Sequence, residues 1–213
     1  MLVVDKLSIN LGSFSIKNIS FQIPNGKYGV LMGRSGSGKT TILESICGLR
    51  KIDSGSIFID GNDVTKLRPA DRHIGFVPQD GVLFSTMKIF DQITFGCILR
   101  GYTKNDAKIR ALQLSKDLGI EHLLDRNPYG LSGGEIQRVA LARALASKPK
   151  FVCMDEPLSS LDEDSRESVC KLIKHLHSKE KLTVLHITHS HVEAELMGDI
   201  KFKLSDGKVI PIT

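Results

Sequence analysis

The stretch Gly33-Arg34-Ser35-Gly36-Ser37-Gly38-Lys39-Thr40 fits the pattern G-x-x-x-x-G-K-[ST] without a mismatch. The chemistry served by that spacing is phosphate binding. Glycines let the backbone curl so that successive N–H groups face phosphate oxygens. Lys39 can then reach the β- and γ-phosphates, and the Thr40 hydroxyl can ligate Mg²⁺. The competing reading is a glycine-rich turn that opens a helix by chance. Lys-Thr at the end of the motif, and the apolar run over residues 27–32 ahead of it, argue against chance. A second stretch, Phe151-Val152-Cys153-Met154-Asp155-Glu156, is an apolar run ending in two acids. In a parallel α/β sheet, ligands sit beyond the carboxyl ends of the strands. Asp155 is therefore expected near the Mg²⁺ held by Thr40, and Glu156 one residue further toward the γ-phosphate. Asp155 then has a metal role, and Glu156 is suited to polarise an attacking water.

A third stretch is Leu131-Ser132-Gly133-Gly134-Glu135-Ile136-Gln137-Arg138. Ser132 and Glu135 form S-x-x-E, a capping box ahead of a helix that carries Val139, Ala142 and Leu145. A well-capped helix is one reading. Gly133 and Gly134 leave the first backbone N–H groups uncovered beside a serine hydroxyl, which makes a second anion site. Two phosphate sites in separate parts of one chain could close a nucleotide between two copies.

These residues need elements to hold them. Residues 27–32 read as a short buried strand, and residues 40–48 as a helix with Ile42, Leu43 and Ile46 at helical spacing. Ahead of them, Leu2 to Leu11 and Phe14 to Ile23 alternate apolar and polar residues around Gly12-Ser13, which predicts an antiparallel pair. Residues 56–60 and 73–77 read as further strands, so an antiparallel sheet is expected beside the phosphate-binding core. From about residue 88 to 146 the periodicity is helical: Ile89, Ile93 and Leu99, then Ile109, Leu112, Leu114 and Leu118, then Val139, Leu141, Ala142 and Leu145. That predicts an inserted helical subdomain. Alternation of strand and helix then resumes, with strands at 151–154 and 183–187, a helix at about 165–177, a short helix from His191, and two final strands around Asp206-Gly207.

Composition sets wider limits. With 213 residues, 41% of them hydrophobic and 25% charged, the chain can bury a sizeable core without staples. The formal net charge of +5 is spread along the chain and reads as a solvated surface. Cys47, Cys97, Cys153 and Cys170 form no C-x-x-C pair and have no histidine at metal-ligand spacing, which suits a reducing compartment. No apolar run approaches a membrane span of about 18 residues, and the first residues lack a signal-peptide layout. The expectation is a protein soluble by itself and cytoplasmic, with another chain supplying any spans.

Residues 131–138 resemble the signature motif of ATP-binding cassette (ABC) ATPases, and the resemblance extends in family order over nearly the whole chain. Residues 33–40 are similar to the Walker A motif, Gln79 in Val77-Pro78-Gln79-Asp80 to the Q-loop, and 151–156 to Walker B. Ser159-Ser160-Leu161-Asp162 resembles the D-loop, and His189 in Ile187-Thr188-His189 the switch histidine. The resemblance implies an α/β fold: a P-loop NTPase core with an antiparallel β subdomain and an inserted α-helical subdomain. It implies one domain over 1–213, with 1–80 and 150–213 as the core and about 81–149 as the helical part carrying the signature. ATP and Mg²⁺ are the implied cofactors. Lys39, Gln79, Glu156 and His189 take the implied catalytic roles; Thr40, Gln79 and Asp155 take the metal. Gly33 through Thr41 hold the nucleotide of one copy, and Ser132, Gly133, Gly134 and Glu135 of a second copy close over it, with Asp162 crossing the interface. Asp162 also suits an N-cap for the helix that follows. The implied cycle is a head-to-tail dimer that closes on ATP and opens on hydrolysis, swinging the helical subdomains.

One departure stands out. The family places an aromatic residue between the first two strands to stack on adenine, where this chain has Asn10 or Leu11; the nearest aromatic is Phe14. Within the family, Arg72-His73-Ile74-Gly75-Phe76-Val77-Pro78-Gln79-Asp80 and Glu121-His122-Leu123-Leu124-Asp125-Arg126 are similar to importer subunits of the sulfate, molybdate and tungstate type. The resemblance then implies transmembrane permease subunits docking on residues 84–90, where Phe84, Met87, Ile89 and Phe90 lie, and a solute-binding protein in the assembled system. The chain would sit on the inner face of the membrane through the permease. Nucleic acid is not expected. An exporter or extraction ATPase, and a non-transport ATPase of translation or DNA maintenance, are the alternative readings.

Overall fold

The computed structural model describes residues 1–12 and 14–212; Ser13, expected from the sequence in a turn, and Thr213 lie outside the described residues. Strand β1 (Leu2–Leu11) pairs antiparallel with β2 (Phe14–Ile23) and with β4 (Ser54–Ile59), and β5 (Asn62–Asp63) extends this four-stranded sheet in the order β2-β1-β4-β5. The alternation expected along β1 is broken once. Leu2, Val4, Leu7 and Ile9 are all buried, so the inward positions change from even to odd numbers. A register shift between Val4 and Leu7 absorbs the extra residue, with Lys6 at φ 49°. A bulge of this kind keeps both halves of the apolar stripe on one face.

The second sheet has the order β10-β9-β3-β8-β7-β6. Its centre is β3 (Tyr28–Met32), which pairs parallel with both β8 (Thr183–Thr188) and β9 (Ile200–Ser205), while β7 (Phe151–Asp155) pairs parallel with β8. Every residue of β3, β7 and β8 is buried, as parallel strands covered on both faces require. Strand β10 (Lys208–Ile212) folds back on β9 through Asp206 and Gly207, both at positive φ as a tight two-residue hairpin turn demands. Strand β6 (Ile74–Val77) forms the other edge.

Helix α1 (Lys39–Cys47) lies against β7 and β8 through Ile42, Leu43 and Ile46, all fully buried. Its end is closed by an unusual cap. Gly48 adopts φ 79°, and the buried Arg72 guanidinium donates to the carbonyls of Ser45 (2.7 Å), Ile46 (2.9 Å), Leu67 (3.0 Å) and Thr65 (2.8 Å). A Cβ on Gly48 would stand 2.6 Å from Arg72 Nε, so glycine is required there for space as well as for φ. Burial lowers the Arg72 pKa, yet carbonyls at the negative end of a helix suit its charge. Arg72→Met would leave several buried acceptors unpaired. We expect it to cost about 3 kcal/mol and to lower Tm by roughly 6–12 °C in a thermal melt.

The chain divides into two compact units: Met1–Phe76, Lys150–Glu156 and Leu176–Thr213 in one, and Val77–Pro149 and Pro157–His175 in the other. The second unit is built on α2 (Ile89–Leu99), α3 (Lys104–Leu118) and α4 (Gly133–Ala146), which pack pairwise, followed by the start of α5 (Glu163–Glu180). Helix α3 buries only part of the set that its periodicity suggests. Ile109 and Leu112 are exposed, while Ala107, Arg110, Ala111, Leu114 and Leu118 face inward. The alanines permit close approach to α4, and Arg110 Nη2 donates to Leu145 O at 3.0 Å. The fold is thus mixed α/β, with an antiparallel sheet, a largely parallel sheet and a helical unit.

Candidate active site

In the first unit, the turn between β3 and α1 carries the glycine loop. Gly38 caps α1 at φ 100°, and a Cβ there would stand 2.6 Å from both Ile16 Cδ1 and Phe14 Cζ. Any side chain at 38 would push the loop off the antiparallel sheet. Phe14 is therefore committed to packing on the core and under the loop, and Leu11 is 39% exposed. Arg34, Ser35 and Gly36 are exposed at the tip, while Ser37 Oγ is buried with no hydrogen-bond partner among the described residues. An orphaned hydroxyl inside a curled loop is a group suited to a phosphate oxygen.

Lys39 is 5% exposed, and its Nζ donates to the carbonyls of Gly33 (3.0 Å) and Arg34 (3.1 Å). It also lies 3.6 Å from Glu156 Oε1. The other oxygen of that carboxylate, Oε2, is 2.8 Å from His189 Nδ1. Glu156 thus links the phosphate-loop lysine to the histidine at the end of β8. Sheet order explains why. Strand β8 lies between β3 and β7, so the carboxyl ends of three parallel strands bring Lys39, Glu156 and His189 together although they are far apart in sequence. Glu156 sits at φ 42°, a left-handed conformation costing an ordinary residue about 1–2 kcal/mol, with its N–H held by Ile187 O at 2.9 Å. Strain at such a position marks a side chain whose direction matters more than its backbone comfort.

Thr40 Oγ1 donates to Asp155 Oδ1 at 3.1 Å. Asp155 is 5% exposed, and burial holds its carboxyl above the ordinary range. The Thr40 hydroxyl opposes that shift, the charges of Glu156 and Glu44 add to it, and Lys39 relieves it. Glu44 is a member of this acidic group that spacing alone did not reveal. A buried carboxylate beside a hydroxyl, crowded by further negative charge, is a donor set for a hard divalent cation. No cluster of three or more His, Cys, Asp or Glu forms a closed metal cage among the described residues.

Beneath His189 lies a group of buried polar residues. Tyr28 OH is 2.9 Å from His186 Nδ1, and Thr188 Oγ1 donates to Glu193 Oε2 at 2.6 Å. Full burial takes the His186 imidazole down to about 3, so it is neutral near pH 7. His191, by contrast, is exposed.

Gln79, Ser132, Gly133, Gly134, Glu135 and Asp162 belong to the second unit. Ser132 caps α4 in a full capping box: Glu135 Oε2 accepts from Ser132 N (2.8 Å) and Oγ (3.0 Å), and Ser132 Oγ accepts from Glu135 N (3.3 Å). The Ser132 backbone bond lowers the Glu135 pKa, with the Ser132 hydroxyl and His122 adding to the effect. A Cβ on Gly133 would stand 3.3 Å from Leu161 Cδ2, and one on Gly134 3.6 Å from Ser165 Oγ, so both glycines face the segment around Asp162. Asp162 itself accepts from Ser165 N at 2.9 Å and so caps α5, which begins earlier than the periodicity indicated. Buried Gln137, on α4, donates to the Gln79 carbonyl at 2.9 Å, tying the backbone at Gln79 to α4.

Residues 16–159 match the family model described as ABC transporter. The chain is 39% identical over 212 residues to the molybdate/tungstate import ATP-binding protein of Thermococcus kodakarensis, covering 100% of this chain and 64% of that protein. It is 42% identical over 198 residues to the sulfate/thiosulfate import ATP-binding protein of Shigella flexneri, covering 91% of this chain and 54% of the relative. The chain therefore spans less than two thirds of the length of these curated relatives. Among solved structures, a dimeric ATP-binding cassette in a post-hydrolysis state with ADP and Pi matches with a TM-score of 0.86 at 30% identity, covering 98% of this chain and 96% of that one.

Proposed function

The chain belongs to the ABC transporter family, and from that premise we propose that it is the ATP-binding and ATP-hydrolysing subunit of a membrane importer. The observation that carries the hydrolytic reading is the carboxylate of Glu156 shared between Lys39 and His189. Glu156 acts as the base that orients and polarises the attacking water, and His189 holds it in that direction. Lys39, with the N–H groups of residues 33–41, binds the phosphates. Thr40 and Asp155 would hold Mg²⁺, with Gln79 the third expected ligand, and the ion would neutralise phosphate charge.

A second copy completes the site in this reading. Ser132, Gly133, Gly134 and Glu135 of one copy close on the nucleotide held by residues 33–41 of the other, and Asp162 reaches across. The dimeric cassette at 30% identity supports that arrangement. Residues 81–149 form the helical part that moves with the nucleotide. Import is supported by the similarity to molybdate/tungstate and sulfate/thiosulfate import proteins. No helix among the described residues is long and apolar enough to cross a membrane. In this reading permease subunits hold the chain at the inner membrane face, with a solute-binding protein on the far side.

The permease surface lies around Phe84, which is 47% exposed and stacks edge-on with Phe95, with the Arg143 guanidinium 5.3 Å from its ring centre. Ile89, by contrast, is core. Fully buried Gln92 pins the segment: its amide accepts from Phe84 N and donates to the carbonyls of Phe84 and Met87, at 2.9–3.0 Å. A rigid, exposed aromatic is a suitable anchor for a partner helix. Capture from detergent-solubilised native membranes tests this. The wild type is expected to retain an integral membrane protein, and Phe84→Asp to lose it while still hydrolysing ATP. Equal capture by both would remove the docking assignment.

A further inference from the structure

His189 is 63% exposed in its side chain, yet it stands between two residues that are held from below. Thr188 is 2% exposed and Glu193 4% exposed, and the 2.6 Å bond from Thr188 Oγ1 to Glu193 Oε2 joins β8 to helix α6 (His191–Met197). The same Thr188 oxygen accepts the N–H of Ser190 at 3.0 Å, and Ser190 Oγ accepts the N–H of Glu193 at 3.3 Å. The three bonds form a closed loop: Thr188 to Glu193 by side chains, Glu193 to Ser190 through its backbone, and Ser190 back to Thr188. His189 is the residue inside that loop whose side chain points outward, to Glu156.

Two further groups lie behind Glu193 in the core. His186 Nδ1 shares a hydrogen bond with the Tyr28 hydroxyl at 2.9 Å, and the other ring nitrogen, Nε2, faces Glu193. That nitrogen lies 3.6 Å from Glu193 Oε2, too long for a hydrogen bond, and has no other partner among the described residues. A buried carboxylate is costly unless it is bonded. A bland cap for α6 would need only the Ser190 hydroxyl, so a fully buried acid at 193 and a hydroxyl at 188 exceed what capping requires.

We propose that Glu193 is a positioning residue for His189: through Thr188 it fixes the turn that aims the imidazole at Glu156. The inference rests on His189 serving the hydrolytic site, as proposed above. A misplacement of about 1 Å at such a contact costs on the order of 100-fold in rate, and a partial release of the turn about tenfold.

Thr188→Val keeps the buried shape but removes both the donated and the accepted hydrogen bond. Histidine nitrogen NMR of the full chain, with the His189 signal identified by its loss in His189→Gln, is expected to show a displaced Nδ1 resonance in Thr188→Val. Thr188→Ser, which restores the hydroxyl, is expected to rescue it. Glu193→Met gives the same test should the valine variant fold poorly, with Glu193→Gln, which retains an acceptor for Thr188, as its rescue. ATP turnover is expected to fall about tenfold in Thr188→Val with KM within roughly twofold of wild type, and no further when His189→Gln is added to it than in His189→Gln alone. An unmoved His189 resonance in a folded Thr188→Val or Glu193→Met protein overturns the proposal, as do losses that multiply with His189→Gln. A displaced resonance in a chain whose wild type shows no ATP turnover would overturn the hydrolytic reading and leave the positioning role standing.

Discussion

Glu156→Gln is expected to lower ATP turnover by about 10²- to 10⁴-fold while leaving ATP binding within severalfold of wild type. The amide keeps the size of the side chain and can still meet His189 and Lys39, but it cannot take a proton from water. Its position makes the effect large. Glu156 directly follows a fully buried strand, its backbone is held at φ 42° by Ile187 O, and its two oxygens are fixed by Lys39 and His189. No other carboxylate can substitute without moving. Asp155 is bonded to Thr40, and burial already favours its neutral form. Single-turnover kinetics beside equilibrium nucleotide binding separates the two quantities. An equal loss of both would mean that Glu156 binds rather than activates.

Lys39→Ala is expected to weaken ATP binding by roughly 100-fold, about 2.7 kcal/mol, the scale of one or two lost charge-assisted hydrogen bonds to phosphate. The cause is electrostatic as much as local. Lys39 is the cation that faces Glu156 and relieves the carboxylate crowding around Asp155. Removing it leaves those acids facing a polyanion without compensation. Titration calorimetry with ATP would measure the loss. Lys39→Arg is expected to recover little, because the buried stem beneath the loop carbonyls leaves no room for a planar guanidinium.

Chemistry carried by contiguous residues is legible in the sequence. The glycine loop, the two acids ending β7 and the capping box at Ser132 each need one turn or one strand end, and their local patterns specify them. Gln79 and His189 carry no local mark. His189 meets Glu156 because β8 inserts between β3 and β7, a fact of sheet order that spacing does not encode, so resemblance to a family was the route to it. The buried group of Tyr28, His186, Thr188 and Glu193 escaped both routes. Polar residues in a strand and a short helix read as ordinary until burial is known. Ile109 and Leu112 show the opposite error, since alanines and a buried arginine took the inner face of α3 and left the larger apolar residues outside. The bulge at Lys6 belongs to the same class: alternation was visible, but the one-residue slip that rescues it was not.

The central claim is that the site on residues 33–41, with Glu156 and His189, is completed by the Ser132 segment of a second copy. Analytical ultracentrifugation of Glu156→Gln with Mg²⁺ and ATP tests it most directly, because slow turnover preserves whatever ATP assembles. The account predicts a dimer with ATP that reverts to monomer with ADP, and that Ser132→Arg abolishes without weakening ATP binding to the monomer. A Glu156→Gln protein that binds ATP and stays monomeric at every concentration would contradict it.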